Sequence, residues 1–109
     1  MKEIRAIVRP HRVERLREAL RAIPNFPGVT MQKAEGFTAP ASLGKRSVKE
    51  ELTDFTDKVM VTVLADDSMS DIICNAIIDS CHTGHIGDGL VWVVDIVQMH
   101  RIRTKSVYS

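Results

Sequence analysis

The chain has 109 residues, a length that fits one domain but not two independent cores. Hydrophobic residues make up 44% of it and charged residues 27%, which indicates a packed globular protein rather than a disordered tail or a fibrous repeat. The formal net charge of +1 gives no general attraction to polyanions, so the composition does not favour nucleic-acid binding.

Targeting signals and cysteines indicate the compartment in which the protein is expected. The N-terminus lacks the apolar stretch of a signal peptide, and no apolar run approaches the roughly 20 residues that cross a bilayer. We therefore expect a cytoplasmic protein without membrane insertion. Cys74 and Cys81 fall in one predicted helix, about 10 Å apart along its axis, so both are expected to be free thiols.

The first half of the chain predicts a strand, a helix and a second strand. Alternating side chains predict a strand over Lys2–Arg9, and Pro10 ends it. Apolar residues at three- and four-residue steps predict an amphipathic helix from Arg12 that stops before Pro24. After a turn, Val29–Phe37 predicts a less regular strand.

The second half repeats this plan. Lys58–Ala65 predicts a central strand buried on both faces. Polar residues at Asp66–Ser68 then start a helix that reaches about Cys81. A glycine-rich turn leads into a last strand over Leu90–Val97, with Trp92 expected in the core.

Two strand–helix–strand units in one small domain predict an α+β fold, the ferredoxin-like βαββαβ sandwich, over residues 1–109. Both helices then cover the same sheet face. The other face must be buried elsewhere, and either a homotrimer or a dimer would bury it.

A connection from Thr38 to Thr56 separates the halves and lacks core periodicity, which is unusually long for a compact domain. It is either a mobile solvated loop or a functional one. Its charges are balanced, which favours a specific protein partner over lipid or nucleic acid. The candidate partner-binding residues are Lys45, Arg46, Lys49, Glu50, Leu52 and Phe55.

Three features suggest an anion site. Arg101 and Arg103 are two apart, which on an extended segment places both guanidinium groups on one face. The turn at Gly87–Gly89 lets backbone N–H groups approach an anion, and Lys58 adds a cation. Each signal alone is weak, since exposed arginines and turn glycines usually have no ligand.

Their combination is specific. The segment T-G-H-I-G-D-G at Thr83–Gly89 closely resembles the T-G-K-I-G-D-G segment of nitrogen regulatory P-II proteins, and R-I-R-T at Arg101–Thr104 resembles their ending. Similar segments at Ile4–Pro10, Gly36–Phe37 and Asp54–Phe55 extend the resemblance over nearly the whole chain. It implies a homotrimeric signalling protein with ATP or ADP between neighbouring subunits and a long loop that inserts into targets.

The resemblance also implies site residues. One subunit would supply the first set: Ile7, Gly36, Lys58, Leu64, Gly87, Asp88 and Gly89. The adjacent subunit would supply the second: Thr30, Arg101 and Arg103. In this scheme Ile7 and Leu64 contact the adenine, while the glycine turn and the cations hold phosphates.

Departures from the family pattern qualify this picture. The lysine that follows the G-D-G turn in the family is Leu90 here, and Ala39 and Pro40 stand near the family's arginine–glutamine pair. We therefore expect ADP or AMP to compete well with ATP, no sensing of 2-oxoglutarate, and an open role for magnesium. The loop has no tyrosine, so uridylylation there is not expected. The pattern is more similar to a divergent subgroup linked with transport or metal efflux, so the expected partner is an enzyme, a transporter or an efflux system.

Other classes are less well supported. Cys81, His82 and His85 cluster near the end of the second helix and make a metal-responsive trimer the alternative hypothesis. The chain shows no nucleophile–base or paired-carboxylate constellation, so it is not expected to be an enzyme. A ferredoxin-like RNA-binding domain would need aromatic residues on the central strands, and Val59–Ala65 has none.

Overall fold

The computed structural model describes residues 1–36 and 56–108. Within these ranges the chain forms two helices and six strands, and short 3-10 turns at Pro10–Arg12 and Asp67–Met69 lead into the helices. The elements in chain order are β1 Lys2–Val8, α1 Val13–Arg21, β2 Thr30–Gly36, β3 Thr56–Ala65, α2 Ser70–Cys81, β4 Leu90–Asp95, β5 Met99–Arg101 and β6 Ser106–Tyr108.

The main sheet has the strand order β2-β3-β1-β4, and every neighbouring pair is antiparallel. With α1 between β1 and β2 and α2 between β3 and β4, this is the ferredoxin-like βαββαβ order. The predicted α+β fold is therefore confirmed for the described residues.

The core lies between the two helices and one face of the sheet. The sheet contributes side chains that alternate along β1 and β3, such as Ile4 and Val63, both fully buried. Leu16 on α1 and Ile73 on α2 close over them, also without exposed surface. Each such side chain stabilises the fold by about 1.5–3 kcal/mol through burial.

The opposite sheet face is open in the single chain. Val61, Val63 and Ala65 of β3 are buried, but Leu64 between them is 40% exposed. The prediction that β3 is buried on both faces is therefore wrong for one subunit, because both helices lie on the same side. Trp92 also lies on this open face, since it is the register partner of Arg5, so the prediction that it belongs to the core is wrong as well.

The C-terminal segment forms a small separate hairpin of β5 and β6. Arg101 ends β5, and the turn that follows is closed by the Lys105 N–H, which donates to the Ile102 carbonyl at 3.3 Å. Lys105 has a positive φ of 56°. The prediction of an extended segment through Arg101 and Arg103 is therefore wrong, because Arg103 lies in the turn.

Cys74 and Cys81 are both free thiols, as predicted. Cys81 belongs to the buried core and Cys74 packs against it. Burial raises the pKa of both thiols.

Candidate functional site

A cleft of about 590 Å³ opens at one end of the sheet, beside the turn that joins α2 to β4. Residues of three neighbouring strands form its floor. Ile7 of β1 pairs with Met60 of β3 on one side and with Leu90 of β4 on the other. Farther out, Lys58 of β3 pairs with Ala34 of β2. These side chains share the open sheet face, so the cleft has an apolar floor with one lysine at its edge.

Asp88 organises the turn beside the cleft. Its carboxylate accepts hydrogen bonds from the backbone N–H groups of Thr83 at 2.7 Å and of Gly84 at 2.9 Å, and from the Thr83 hydroxyl. The Thr83 hydroxyl oxygen in turn accepts the N–H of His85 at 3.2 Å. The bond from the Thr83 hydroxyl, together with these backbone donors, holds the pKa of Asp88 well below its usual range. The Asp88 carboxylate is therefore ionised, and its oxygens accept hydrogen bonds from within the turn.

Two glycines allow the turn to approach the sheet. Gly87 and Gly89 have φ values of 99° and 104°, a region that side chains disfavour. A Cβ on Gly89 would lie 1.7 Å from the carbonyl oxygen of Ile7, which is backbone and cannot move aside. A Cβ on Gly87 would lie 3.0 Å from Nη2 of Arg9. The backbone of the turn therefore sits directly against β1 and its flanking arginine.

Cations surround this turn. The Lys58 ammonium donates to the Gly87 carbonyl at 3.4 Å. The Arg9 guanidinium donates to the Ile86 carbonyl at 2.6 Å, and its Nε lies 3.5 Å from an oxygen of Asp88. Arg12 donates to the carbonyl of His82 at 3.0 Å, which fixes the end of α2 where the turn begins. Three cationic side chains therefore donate to backbone carbonyls of the turn and of the helix end that leads into it.

The sequence analysis did not assign Arg9, Arg12 or Met60 to the site. Arg9 meets Ile86 across 77 residues of chain, and Arg12 meets His82 across 70. The available signal was a concentration of arginines that begins at the last residue of the first predicted strand. That signal does not indicate which turn they contact.

The structure gathers most of the first predicted set in the cleft. The residues that line it include Ile7, Gly36, Lys58, Gly87, Asp88 and Gly89. Leu64 does not line it. Leu64 pairs with Glu3, four positions along β3 from Met60, which is about 13 Å at strand spacing. Within one chain only Ile7 of this predicted pair lines the cleft.

The second predicted set lies away from the cleft. Thr30 begins β2 and pairs with Thr62, so it shares its end of the open face with Leu64. Arg101 and Arg103 lie on the C-terminal hairpin and its turn, and both are exposed. None of the three lines the cleft of its own chain.

The metal hypothesis is not supported. Within residues 1–36 and 56–108, no group of three or more histidine, cysteine or acidic side chains is arranged to hold a metal ion. Cys81 is buried in the core, and it shares with His82 a small cavity of about 150 Å³ on the helix side of the turn. His85 lines the larger cleft instead. The three side chains therefore do not converge.

The predicted partner-binding residues lie outside the described residues: Lys45, Arg46, Lys49, Glu50, Leu52 and Phe55. The same holds for Ala39 and Pro40. The two described helices lack the length and apolar character of a membrane span.

The fold and the cleft define a small ferredoxin-like α+β protein with a glycine-lined cleft at one end of its sheet. Comparison with known proteins agrees with this class. The family model of nitrogen regulatory protein P-II matches residues 1–106. The chain belongs to the P-II family, whose members are regulatory signalling proteins rather than enzymes.

Curated relatives carry the same name. The chain is 34% identical to the nitrogen regulatory protein P-II of Azospirillum brasilense and 33% identical to nitrogen regulatory protein P-II 1 of Escherichia coli K12. It is 32% identical to the nitrogen regulatory protein P-II of Nostoc punctiforme. Each alignment covers 95% of this chain and 93% of the relative, so the similarity extends over nearly the full length.

Proposed function

We propose that this protein is an adenine-nucleotide-responsive regulator that binds its effector in the cleft and acts on a partner protein. One observation carries the proposal: six residues that the sequence resemblance assigned to a nucleotide site, spread from Ile7 to Gly89, line one cleft of about 590 Å³. That volume falls within the range of small-molecule sites.

The two ends of the cleft suit different parts of a nucleotide. Ile7 and Met60 form an apolar floor that suits a base, and Met60 takes the place the sequence analysis gave to Leu64. Lys58 and the backbone of Gly87 and Gly89 suit a phosphate chain. Because Leu90 lines the cleft where a further lysine would add charge, ADP and AMP should compete well with ATP.

A homotrimer would complete the site. The open sheet face carries exposed apolar side chains such as Leu64 and Val94, which need a cover. Thr30, Arg101 and Arg103 do not line the cleft of their own chain. In the assembly proposed here a neighbouring subunit supplies them, and Leu64 joins them because it lies beside Thr30 on the sheet.

Calorimetry with AMP, ADP and ATP, each with and without magnesium, tests nucleotide binding. Lys58→Met should weaken binding of ADP and ATP by about tenfold or more, the effect of losing a hydrogen bond to a charged group. Arg101→Ala and Arg103→Ala should have effects of similar size. Arg15→Met removes an exposed charge on α1 and is the matched control. The absence of binding by the native protein, or equal effects of Lys58→Met and the control, would contradict the assignment.

Light scattering on a sizing column tests the assembly. The expected mass is three times 12.2 kDa. A monomer at micromolar concentration would contradict both the trimer and the composite site.

The proposed output is contact between the segment 38–56 and a partner protein, for which a membrane transporter is the first candidate to test. The support is the position of its ends, since Gly36 and Lys58 both line the cleft. A ligand there contacts the base of the segment and can bias it only through such contacts. Deletion of residues 40–54 should preserve nucleotide binding and abolish capture of the partner. Capture that survives the deletion would refute this role.

A further inference from the structure

We propose that Arg9 is a positioning residue that prepares the glycine turn of the cleft to hold an anion, by tying the turn to the end of β1 and by neutralising Asp88. The contacts that Arg9 makes are present in the free protein. The consequence for ligand affinity rests on the proposed function.

Asp88 places a negative charge beside the proposed phosphate site. Asp88 is one of the two acidic residues, with Glu35, that line the cleft in which phosphates are proposed to bind. It cannot be protonated near neutral pH, because the donors from Thr83 and Gly84 stabilise its charged form. An uncompensated carboxylate at this point would repel every phosphate that approached the turn.

The Arg9 side chain pairs with the carboxylate of Asp88. Its Nε lies 3.5 Å from an oxygen of Asp88, and among the described residues this buried atom has no hydrogen-bond partner. The contact is therefore ionic. The Arg9 side chain is only 27% exposed and that of Asp88 22%, so solvent screens the pair less than it would a surface pair.

The same guanidinium also fixes the backbone of the turn. Nη2 of Arg9 donates to the Ile86 carbonyl at 2.6 Å, and it lies 3.0 Å from the Cβ position of Gly87. Lys58 lies near Gly87 as well, with Nζ 3.9 Å from that Cβ position. Arg9 does not line the cleft, whereas Lys58 does. Lys58 is thus placed to meet the ligand, and Arg9 acts on the ligand through the turn.

An arginine suits both tasks better than a lysine. Its planar fork presents several donors at fixed angles, so one group meets a carbonyl and a carboxylate together. The point charge of a lysine would satisfy one of them well. Arg9→Lys should therefore retain part of the neutralisation and lose much of the tie.

The charge effect predicts a dependence on the number of phosphates. We would measure affinities of adenosine, AMP and ATP by calorimetry for the native protein, Arg9→Met, Arg9→Lys and the control Arg15→Met. Arg9→Met should weaken ATP binding by about tenfold or more, AMP binding less, and adenosine binding by less than about twofold. Arg9→Lys should fall between Arg9→Met and the native protein. The double variant Arg9→Met with Asp88→Asn should bind ATP more tightly than Arg9→Met alone, because the unpaired carboxylate is gone.

Two results with nucleotide would overturn the proposal. One is an equal loss for adenosine and ATP in Arg9→Met, which would reflect general disruption. The other is a profile for Arg9→Met that matches Arg15→Met.

A second measurement needs no ligand and separates this proposal from the proposed function. Amide exchange at residues 83–89 of the nucleotide-free protein should be about tenfold faster in Arg9→Met than in the native protein or in Arg15→Met. If the native protein bound no nucleotide, the proposed function would fail while the tie could still be observed. Unchanged exchange in Arg9→Met would overturn the tie itself.

Discussion

Gly89→Ala should be among the most damaging single-methyl additions in the described part of the chain. The added Cβ would lie 1.7 Å from the Ile7 carbonyl oxygen, whereas real Cβ contacts stay at or beyond 3.0 Å. The turn or the strand must therefore retreat by at least 1.3 Å. Because Ile7 pairs with Leu90, that retreat opens the end of the β1–β4 ladder.

The expected cost has two parts. An alanine at a φ of 104° costs about 1–3 kcal/mol as backbone strain. A lost ladder hydrogen bond adds about 0.5–1.5 kcal/mol. Together they predict a loss of about 1.5–4.5 kcal/mol in the free energy of unfolding, and at about 4–8 °C per kcal/mol a fall in Tm of roughly 6 °C or more.

Gly84→Ala is the matched control. Gly84 has a positive φ of 86°, but nothing lies within 4 Å of its Cβ position. It should therefore show the strain without the collision. Urea unfolding of both variants at equal protein concentration gives the comparison. If Gly89→Ala cost no more than Gly84→Ala, the close approach of the turn to β1 would be refuted.

Four further predictions concern stability, the cleft and the thiols. Asp88→Asn should reduce the loss of stability that the protein shows at acid pH. A carboxyl whose pKa is lowered by folding stabilises the protein above its unfolded pKa of about 4, and this contribution is lost as the pH falls from there toward the folded pKa. Urea unfolding measured against pH would show the difference. Leu16→Ala should cost about 2–5 kcal/mol in urea unfolding, because the side chain is fully buried. Leu90→Lys should increase the preference for ATP over AMP in calorimetry, since Leu90 lines the cleft and is 70% exposed. Cys81 should be alkylated much more slowly by iodoacetamide in the native protein than in urea, because burial shields the thiol and raises its pKa.

Each of these has an opposing result. A loss of stability at acid pH as large in Asp88→Asn as in the native protein would mean that other carboxyls dominate it. A cost below 1 kcal/mol for Leu16→Ala would contradict the packing of α1 on the sheet. An unchanged ratio of ATP to AMP affinity in Leu90→Lys would place the phosphates elsewhere. Equal alkylation rates in buffer and in urea would contradict the burial of Cys81.

The order of the main elements could be predicted from the sequence because hydrophobic periodicity reports which side of an element is buried. Ile4, Ala6 and Val8 alternate in the chain and are buried in the structure. Periodicity could not show that β3 has one open face, because an apolar residue has the same sequence signal whether its side chain is buried or exposed in the single chain. The hairpin of β5 and β6 was missed because each strand has only three residues.

The candidate site was less accessible to physical reasoning from sequence. Lys58 and the Gly87–Gly89 turn were weak signals until a family resemblance linked them. Arg9 was not assigned at all, because its partners Ile86 and Asp88 lie at the other end of the chain. Contacts of that span depend on the register of the strands, and no local pattern encodes it.

The pairing of Gly36 with Thr56 has a consequence for how this protein could evolve. These two residues face each other across the β2–β3 ladder, so the nineteen residues between them leave and re-enter the sheet at adjacent points. Changing the length of such an insert costs little, since doubling a loop adds only about 0.6 kcal/mol of closure entropy. Selection could therefore lengthen, shorten or exchange the insert while the sheet and the cleft stay intact. Under the proposed function, new partners could be acquired in this way while the residues that line the cleft stay unchanged.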